Sequence, residues 1–163
     1  MEKSSLALYI HWPFCKIKCP YCDFNSYKKE STNQSRWLRA YLRALELWSS
    51  RLAKREIKSI FFGGGTPSLL DPDFVAMVLQ KIDSLWSIDG NCEITIEANP
   101  NSISESKFKL FRDIGINRVS VGVQALNNKD LSNLGRDHNE KQAIEAIEVI
   151  NTWFKNYNLD FIY

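Results

Sequence analysis

The sequence predicts an α/β fold in which parallel strands form part of a barrel with a polar inner face. Short apolar runs alternate with longer amphipathic stretches along the whole chain, which is the pattern of repeated β/α units. Two of the runs alternate polar and apolar residues, whereas strands of a doubly wound sheet are apolar on both faces. A polar inner face favours a barrel with a ligand inside it. Exposure of these polar residues to water on an edge sheet is the competing interpretation.

The composition is that of an ordinary globular domain. The 163 residues include 21 Lys and Arg and 19 Asp and Glu, which gives a net charge of +2. This balance provides no electrostatic drive toward nucleic acids or an anionic membrane. No apolar run is long enough to cross a bilayer, and the first fifteen residues lack the pattern of a signal peptide, so we expect a cytoplasmic protein.

The first half of the chain contains two predicted strands and two predicted helices. The apolar run at 6–10 predicts a buried strand, and 59–62 predict a second strand that ends at the glycines 63–65. Asp71 and Pro72 predict the N-cap and the first residue of a helix. Between the strands, apolar residues at steps of three and four predict one face of a long helix: Leu38, Tyr41, Leu42, Leu45, Trp48 and Leu52.

The third strand is predicted at 93–98, with Ile94 and Ile96 on one face and Glu97 on the other. Ser102 and Glu105 have the spacing of a capping box at the start of the following helix. Gly115 is expected to end that helix.

The fourth strand is predicted at 118–124, where Val119, Val121 and Val123 share one face and Gln124 lies on the polar face. A short helical turn follows around Leu131 and Leu134. Apolar spacing then predicts a helix that carries Ala143, Ile144, Ile147, Ile150 and Phe154. A fifth strand is predicted at 160–163.

Three of the four cysteines form a cluster of the pattern C-x3-C-x2-C. Cys15, Cys19 and Cys22 follow the first strand, and disulfides between residues so close would stabilise little. Thiolates bind zinc and iron–sulfur clusters, and three of them on a cubane leave one iron open. An iron–sulfur cluster with an open iron is the first interpretation, zinc completed by His11 is the second, and unrelated cysteines are the third. Cys92 is expected to be a small buried residue at a strand start.

The glycines after the second strand form the sequence Gly-Gly-Gly-Thr-Pro. This sequence lacks the GK[ST] ending of a P-loop and is not a GxGxxG motif. Exposed N–H groups at such a turn can hold an anionic group. On its own, however, the sequence is better interpreted as a tight turn.

Together, these motifs resemble the radical S-adenosylmethionine (SAM) superfamily, and within it the oxygen-independent coproporphyrinogen III oxidase group. The resemblance rests on five ordered segments: YIHWPFC at 9–15, FGGGTPS at 62–68, IEANP at 96–100, GVQ at 122–124 and LGR at 134–136. It implies a partial (β/α)6 barrel of the radical SAM type, truncated at the fifth strand. Residues 1–163 would then be an incomplete, N-terminal portion of the core without the C-terminal domain, and a nonfunctional truncated product is one alternative.

Phe24 decides between two branches of this group. The true oxidases have a further cysteine two residues after the last cluster cysteine, whereas here Cys22 is followed by Asp23 and Phe24. The Cys-Asp-Phe sequence resembles the HemW-type heme chaperones. The resemblance therefore implies a heme chaperone, with SAM-dependent decarboxylation of coproporphyrinogen III as the alternative, and it leaves open whether the chain is an enzyme.

The resemblance also implies roles for individual residues. Cys15, Cys19 and Cys22 would each bind one iron of a 4Fe–4S cluster, and SAM would chelate the fourth iron. The residues implied to contact SAM are Tyr9, Tyr21, Gly64, Gly65, Thr66, Glu97, Gln124, Arg136 and Asp160.

The implied partners are heme or a porphyrin as ligand, an electron donor and a heme-accepting protein, without nucleic acid. A homodimer and a peripheral association with a membrane through partner proteins are compatible with this function. Among the remaining polar residues, His11 is expected to support the cysteine loop by a hydrogen bond, and His138 is expected on the surface. Without the resemblance, Arg136 would be interpreted as a solvated arginine.

Overall fold

The computed structural model describes residues 5–29, 31–52 and 55–163. Strands and helices alternate along most of this chain, as the sequence predicts. The strands are β1 (Ser5–Trp12), β2 (Phe14–Cys15), β3 (Tyr27–Lys28), β4 (Glu56–Gly64), β5 (Ser87–Ala98), β6 (Arg118–Gln124) and β7 (Asn156–Phe161). The α-helices are α1 (Gln34–Arg51), α2 (Pro72–Leu85), α3 (Glu105–Asp113), α4 (Asn128–Asn133) and α5 (Glu140–Trp153).

Five of the strands form one parallel sheet in the order β1-β4-β5-β6-β7. Because consecutive long strands are neighbours and parallel, all their carboxyl ends meet at one edge of the sheet. Among the described strands, β1 and β7 each pair on one side only, so the sheet is open. The predicted α/β fold with a parallel sheet is confirmed, and the open sheet is consistent with a partial barrel.

The apolar faces of the strands pack against the helices. Val119, Val121 and Val123 are fully buried in one core with Ala143 and Ile150 of α5, as the alternation in β6 predicts. Burying such side chains is the main favourable contribution to folding. Within the described part of the chain, no helix is both long and apolar enough to span a membrane.

An aromatic group joins the end of β1 to the first two helices. Trp12 is only 2% exposed. Its ring meets the rings of Phe14, Trp37 and Phe74 edge-on, at centroid distances of 5.2, 6.0 and 5.9 Å. Edge-to-face pairs of this kind add to the energy of burial. The group therefore fixes the point at which the chain leaves β1 for the cysteines.

Several predicted boundaries are wrong. The second strand of the sheet begins at Glu56 rather than at residue 59, the third at Ser87 rather than at residue 93, and the fifth at Asn156 rather than at residue 160. Asn156 and Asn158 are unfavourable strand residues by propensity, but pairing with β6 holds them in the sheet. Ser102 does not cap α3, because its hydroxyl is engaged with the backbone of Asn99 in the preceding turn. Ser104 is the N-cap of α3 instead.

Candidate functional site

A cavity of about 300 Å³ lies at the carboxyl ends of the sheet strands. The cysteine loop (residues 15–26) forms one wall, and the ends of β4, β5, β6 and β7 form the other. Ligand sites of parallel α/β sheets occur at this edge. Most of the residues with a predicted role line the cavity: Cys15, Cys19, Cys22, Tyr21, Gly64, Gly65, Glu97, Gln124, Arg136 and Asp160.

The cysteine loop is closed by the short pairing of β2 with β3, which the sequence did not predict. Lys18 crosses the loop and donates its Nζ to the carbonyl oxygens of Phe24 and Ser26, at 3.2 and 3.0 Å. His11 Nε2 lies 2.9 Å from the carbonyl oxygen of Asn25, which is the supporting hydrogen bond expected from the sequence. These bonds shape the loop that presents the cysteines.

All four cysteines are free, and three of them face the cavity. Burial raises the pKa of the Cys15 thiol above its usual value. Cys92 is buried away from the cavity, within β5 rather than at the start of a strand.

Across the described residues, no three His, Cys, Asp or Glu side chains are gathered around one position that could hold a metal ion.

The glycine turn at the end of β4 is held by hydrogen bonds from its own backbone. The N–H of Gly64 donates to Glu97 Oε2 at 2.9 Å, and the N–H of Gly65 donates to the carbonyl oxygen of Trp12 at 2.6 Å. The N–H of Thr66 donates to the carbonyl oxygen of Phe14 at 2.9 Å. The structure therefore agrees with the interpretation as a tight turn, since these three N–H groups are paired within the protein, and the turn fixes the carboxylate of Glu97 beside the cavity.

Glu97 is the partly buried acid of the site. Burial raises the pKa of its carboxyl, and the nearby charge of Asp160 raises it further, while the N–H of Gly64 opposes both effects. Glu97 also contributes to the raised pKa of the Tyr9 phenol, although burial is the larger cause there. The site therefore holds two carboxylates whose mutual repulsion a cationic group would relieve.

Replacing Glu97 by glutamine is expected to stabilise the protein at neutral pH. Because the pKa of Glu97 is raised on folding, the folded chain binds more protons than the unfolded chain above the ordinary value of 4.5. Stability is therefore lost as the pH rises from that value through the raised pKa. Urea unfolding at pH 4 and pH 7 should show that Glu97→Gln has the higher free energy of unfolding at pH 7, with the difference reduced at pH 4.

The control is Glu93→Gln, which removes an exposed carboxylate from the same strand. We expect this variant to lack the gain at pH 7. An equal gain in both variants would show that the effect comes from the net charge of the chain. No gain in Glu97→Gln would contradict the unfavourable burial of Glu97.

Asp160 and Gln124 lie at the ends of the last two strands. The carboxylate of Asp160 accepts hydrogen bonds from Ser120 Oγ at 3.0 Å and from Asn158 Nδ2 at 2.7 Å. Gln124 has a φ of 67°, the one positive value at a non-glycine position among the described residues. Such backbone conformations cost about 1–3 kcal/mol and are concentrated at functional sites.

Arg136 is not a solvated loop residue. Its guanidinium lines the cavity and donates to Asn99 Oδ1, to the carbonyl oxygen of Gly122 and to the cysteine loop. Sequence reasoning assigned no role to Asn99, Lys18 or Asn158. Asn158 could have been identified from its polar position in the last strand. Asn99 could have been identified because it directly follows a strand.

Two residues with a predicted role do not line the cavity. Tyr9 is 58% exposed, and its ring stacks on Phe61 at a centroid distance of 5.8 Å. Thr66 is 3% exposed, and its Oγ1 accepts a hydrogen bond from Asn99 Nδ2 at 3.1 Å. The expectation for His138 was wrong, because this side chain is buried and its Nε2 lies 3.1 Å from the carbonyl oxygen of Val123.

Comparison with known families agrees with this arrangement. The model of the radical SAM superfamily matches residues 9–163, from β1 to the last residue. The chain belongs to the radical SAM superfamily. The match includes all three loop cysteines, the second half of β1 and the other four strands of the sheet, so the radical SAM fold predicted from the sequence is confirmed.

Relatives within the radical SAM superfamily include heme chaperones. The chain is 42% identical over 159 residues to the heme chaperone HemW of Buchnera aphidicola subsp. Schizaphis graminum. This alignment covers 97% of the present chain and 42% of the relative. It is 36% identical over 160 residues to HemW of Escherichia coli, with coverage of 97% and 42%. The chain thus spans about two fifths of the length of these relatives.

A solved radical SAM structure has the same fold. The coproporphyrinogen III oxidase HemN of Escherichia coli superimposes with a TM-score of 0.89 at 26% identity, over 99% of this chain and 38% of HemN. The proteins similar to this radical SAM chain therefore include both a heme chaperone and a coproporphyrinogen III oxidase, the two groups that the sequence motifs resemble.

Proposed function

We propose that the chain binds a 4Fe–4S cluster and SAM in the cavity at the strand ends, as the radical SAM part of a heme chaperone. The observation that supports this proposal is the meeting of three free cysteines with the polar strand ends in one cavity. Zinc sites use four protein ligands when they are structural. Three thiolates facing a cavity with room for a small molecule suit a cluster with one open iron.

The donors in the cavity fit both groups. The thiols of Cys15, Cys19 and Cys22 would hold three irons, and the cluster with SAM would supply one-electron chemistry when bound. The fit of SAM is supported by an orphaned polar atom. Arg136 Nε is buried without a hydrogen-bond partner among the described residues, and Arg136 lines the cavity. Buried polar groups are usually paired, so a ligand is the natural partner.

The strand ends would orient SAM by charge and hydrogen bonding. Glu97, fixed by the N–H of Gly64, is an acceptor for a cationic amino group. Asp160, fixed by Ser120 and Asn158, is an acceptor for hydroxyl groups. Glu97 is half-buried and Asp160 is exposed, and the hydrogen bonds that each accepts from the protein fix its carboxylate in the wall of the cavity.

The identity of residue 24 favours the chaperone over the oxidase. Phe24 lines the cavity and is 56% exposed, at the position where the oxidases have a further cysteine. An apolar ring there suits a flat apolar ligand such as heme. The oxidase remains the second candidate because the HemN structure superimposes over nearly the whole chain.

The test is electron paramagnetic resonance (EPR) of the anaerobically reconstituted, dithionite-reduced chain, with and without SAM. We expect the signal of a reduced 4Fe–4S cluster that changes when SAM is added.

A second experiment separates the chaperone from the oxidase. Titration of the cluster-loaded chain with heme should shift the heme absorption, and coproporphyrinogen III should not be consumed. A signal indifferent to SAM would refute the SAM site. Turnover of coproporphyrinogen III would favour the oxidase.

A further inference from the structure

The guanidinium of Arg136 connects the cysteine loop to two strand ends. Its Nη1 lies 3.3 Å from Cys19 Sγ and 3.2 Å from the Tyr21 hydroxyl. Its Nη2 donates to Asn99 Oδ1 at 2.8 Å and to the carbonyl oxygen of Gly122 at 2.9 Å. One side chain thus bonds to both walls of the cavity, and one of its partners is a predicted cluster ligand.

The local backbone brings Arg136 to this position. Gly135 has a φ of 66°, and a Cβ at this residue would lie 2.7 Å from Cδ of Pro20. The turn therefore packs directly against the residue that follows Cys19. The N–H of Arg136 donates to the carbonyl oxygen of Leu131 at 2.9 Å, which ties the turn to α4. The packing of Gly135 against Pro20 and the hydrogen bond to Leu131 thus hold Arg136 beside Cys19.

We propose that Arg136 is a positioning residue for the cluster, and that its N–H···S hydrogen bond to Cys19 raises the reduction potential of the cluster. This inference rests on the proposed function, because it requires a cluster on Cys19. Hydrogen bonds to the sulfurs of a cluster and nearby charge are established determinants of its potential. Reduction adds one negative charge, and a cationic donor at a ligand sulfur stabilises the more negative state.

This role differs from the one implied by the resemblance, in which Arg136 is suited to the SAM carboxylate. The two roles predict different measurements. A contact only with the carboxylate would alter the affinity for SAM and leave the potential unchanged in its absence. A hydrogen bond to Cys19 alters the potential of the cluster before SAM is added.

The experiment is an EPR-monitored redox titration of the reconstituted chain without SAM. We expect Arg136→Gln to have a more negative midpoint potential than the wild type. Arg136→Lys keeps the positive charge but lacks the planar guanidinium that donates to Cys19 and Asn99 at the same time. We therefore expect its midpoint potential to lie between those of the wild type and Arg136→Gln. The matched control is Arg112→Gln, which removes the same charge from an exposed position at the end of α3.

Each outcome has one meaning. A midpoint potential in Arg136→Gln equal to that of the wild type would overturn the inference, as would the same shift in Arg112→Gln. If Arg136→Gln fails to assemble a cluster, the midpoint potential of Arg136→Lys is the test instead. A midpoint potential of Arg136→Lys equal to that of the wild type would overturn the role of the hydrogen bond. A wild-type chain that assembles no cluster would refute the proposed function itself.

Discussion

Replacing any one of Cys15, Cys19 or Cys22 by alanine is expected to abolish the assembly of the cluster. The three thiols line one cavity, and each would bind a different iron, so none can substitute for another. Removing a group that hydrogen-bonds to a metal ligand lowers metal affinity by about 10–100-fold. Removing the ligand itself should lower the affinity at least as much. Iron and sulfide analysis after anaerobic reconstitution, together with EPR, measures the effect.

The matched control is Cys92→Ala, which removes a buried thiol outside the cavity. This variant should reconstitute with wild-type iron content, although its stability should fall by up to a few kcal/mol through the lost packing. Equal loss of iron in Cys92→Ala would place the cluster elsewhere. Retention of a full cluster in any of the three loop variants would refute the assigned ligand set.

Gly64→Ala is expected to destabilise the chain by about 3 kcal/mol and to remove the response to SAM. Gly64 has a φ of 114°, a conformation that residues with a side chain rarely adopt. A Cβ at this position would also lie 2.6 Å from the ring of His11 and 2.8 Å from the carbonyl oxygen of Trp12. The turn would have to move, and the hydrogen bond to Glu97 would be lost with it.

Urea unfolding measures the stability of Gly64→Ala, and the EPR change on adding SAM measures the site. Gly90→Ala is the control, because a Cβ there would have no atom within 4 Å and the residue lies in β5 far from the glycine turn. We expect the control to retain both stability and the response to SAM. A Gly64→Ala variant as stable as the control would show that the backbone at the turn can relax without cost.

Most of the fold was predictable because local patterns encode it. The alternation of Val119, Val121 and Val123 identified a strand with one buried face, and the structure buries all three. Asp71 and Pro72 marked the start of α2 correctly, because the fixed φ of proline suits the first residue of a helix, although the Asp71 side chain makes no capping hydrogen bond. Boundaries failed where tertiary pairing outweighed local preference, as in β7, which begins at Asn156.

The candidate site was predictable only in part. The spacing of the cysteines identifies the loop, and the polar faces of β5 and β6 identify Glu97 and Gln124, because a strand places alternate residues on one face. Arg136 follows α4 and Asn99 follows β5, both in irregular segments where no periodicity indicates the direction of a side chain. Lys18 crosses the cysteine loop to carbonyl oxygens, and a backbone acceptor has no signature in the sequence.

The sequence by itself determined the β/α repeat, the parallel sheet and the group of three cysteines, since each depends on spacing along the chain. Only the tertiary structure decided that Arg136 meets Cys19, which is 117 residues away, and that Glu97 accepts from the backbone of Gly64. The physical reason is that parallel strands bring all their carboxyl ends to one edge. Residues that are remote in sequence then share one cavity, and hydrogen bonding selects their partners there.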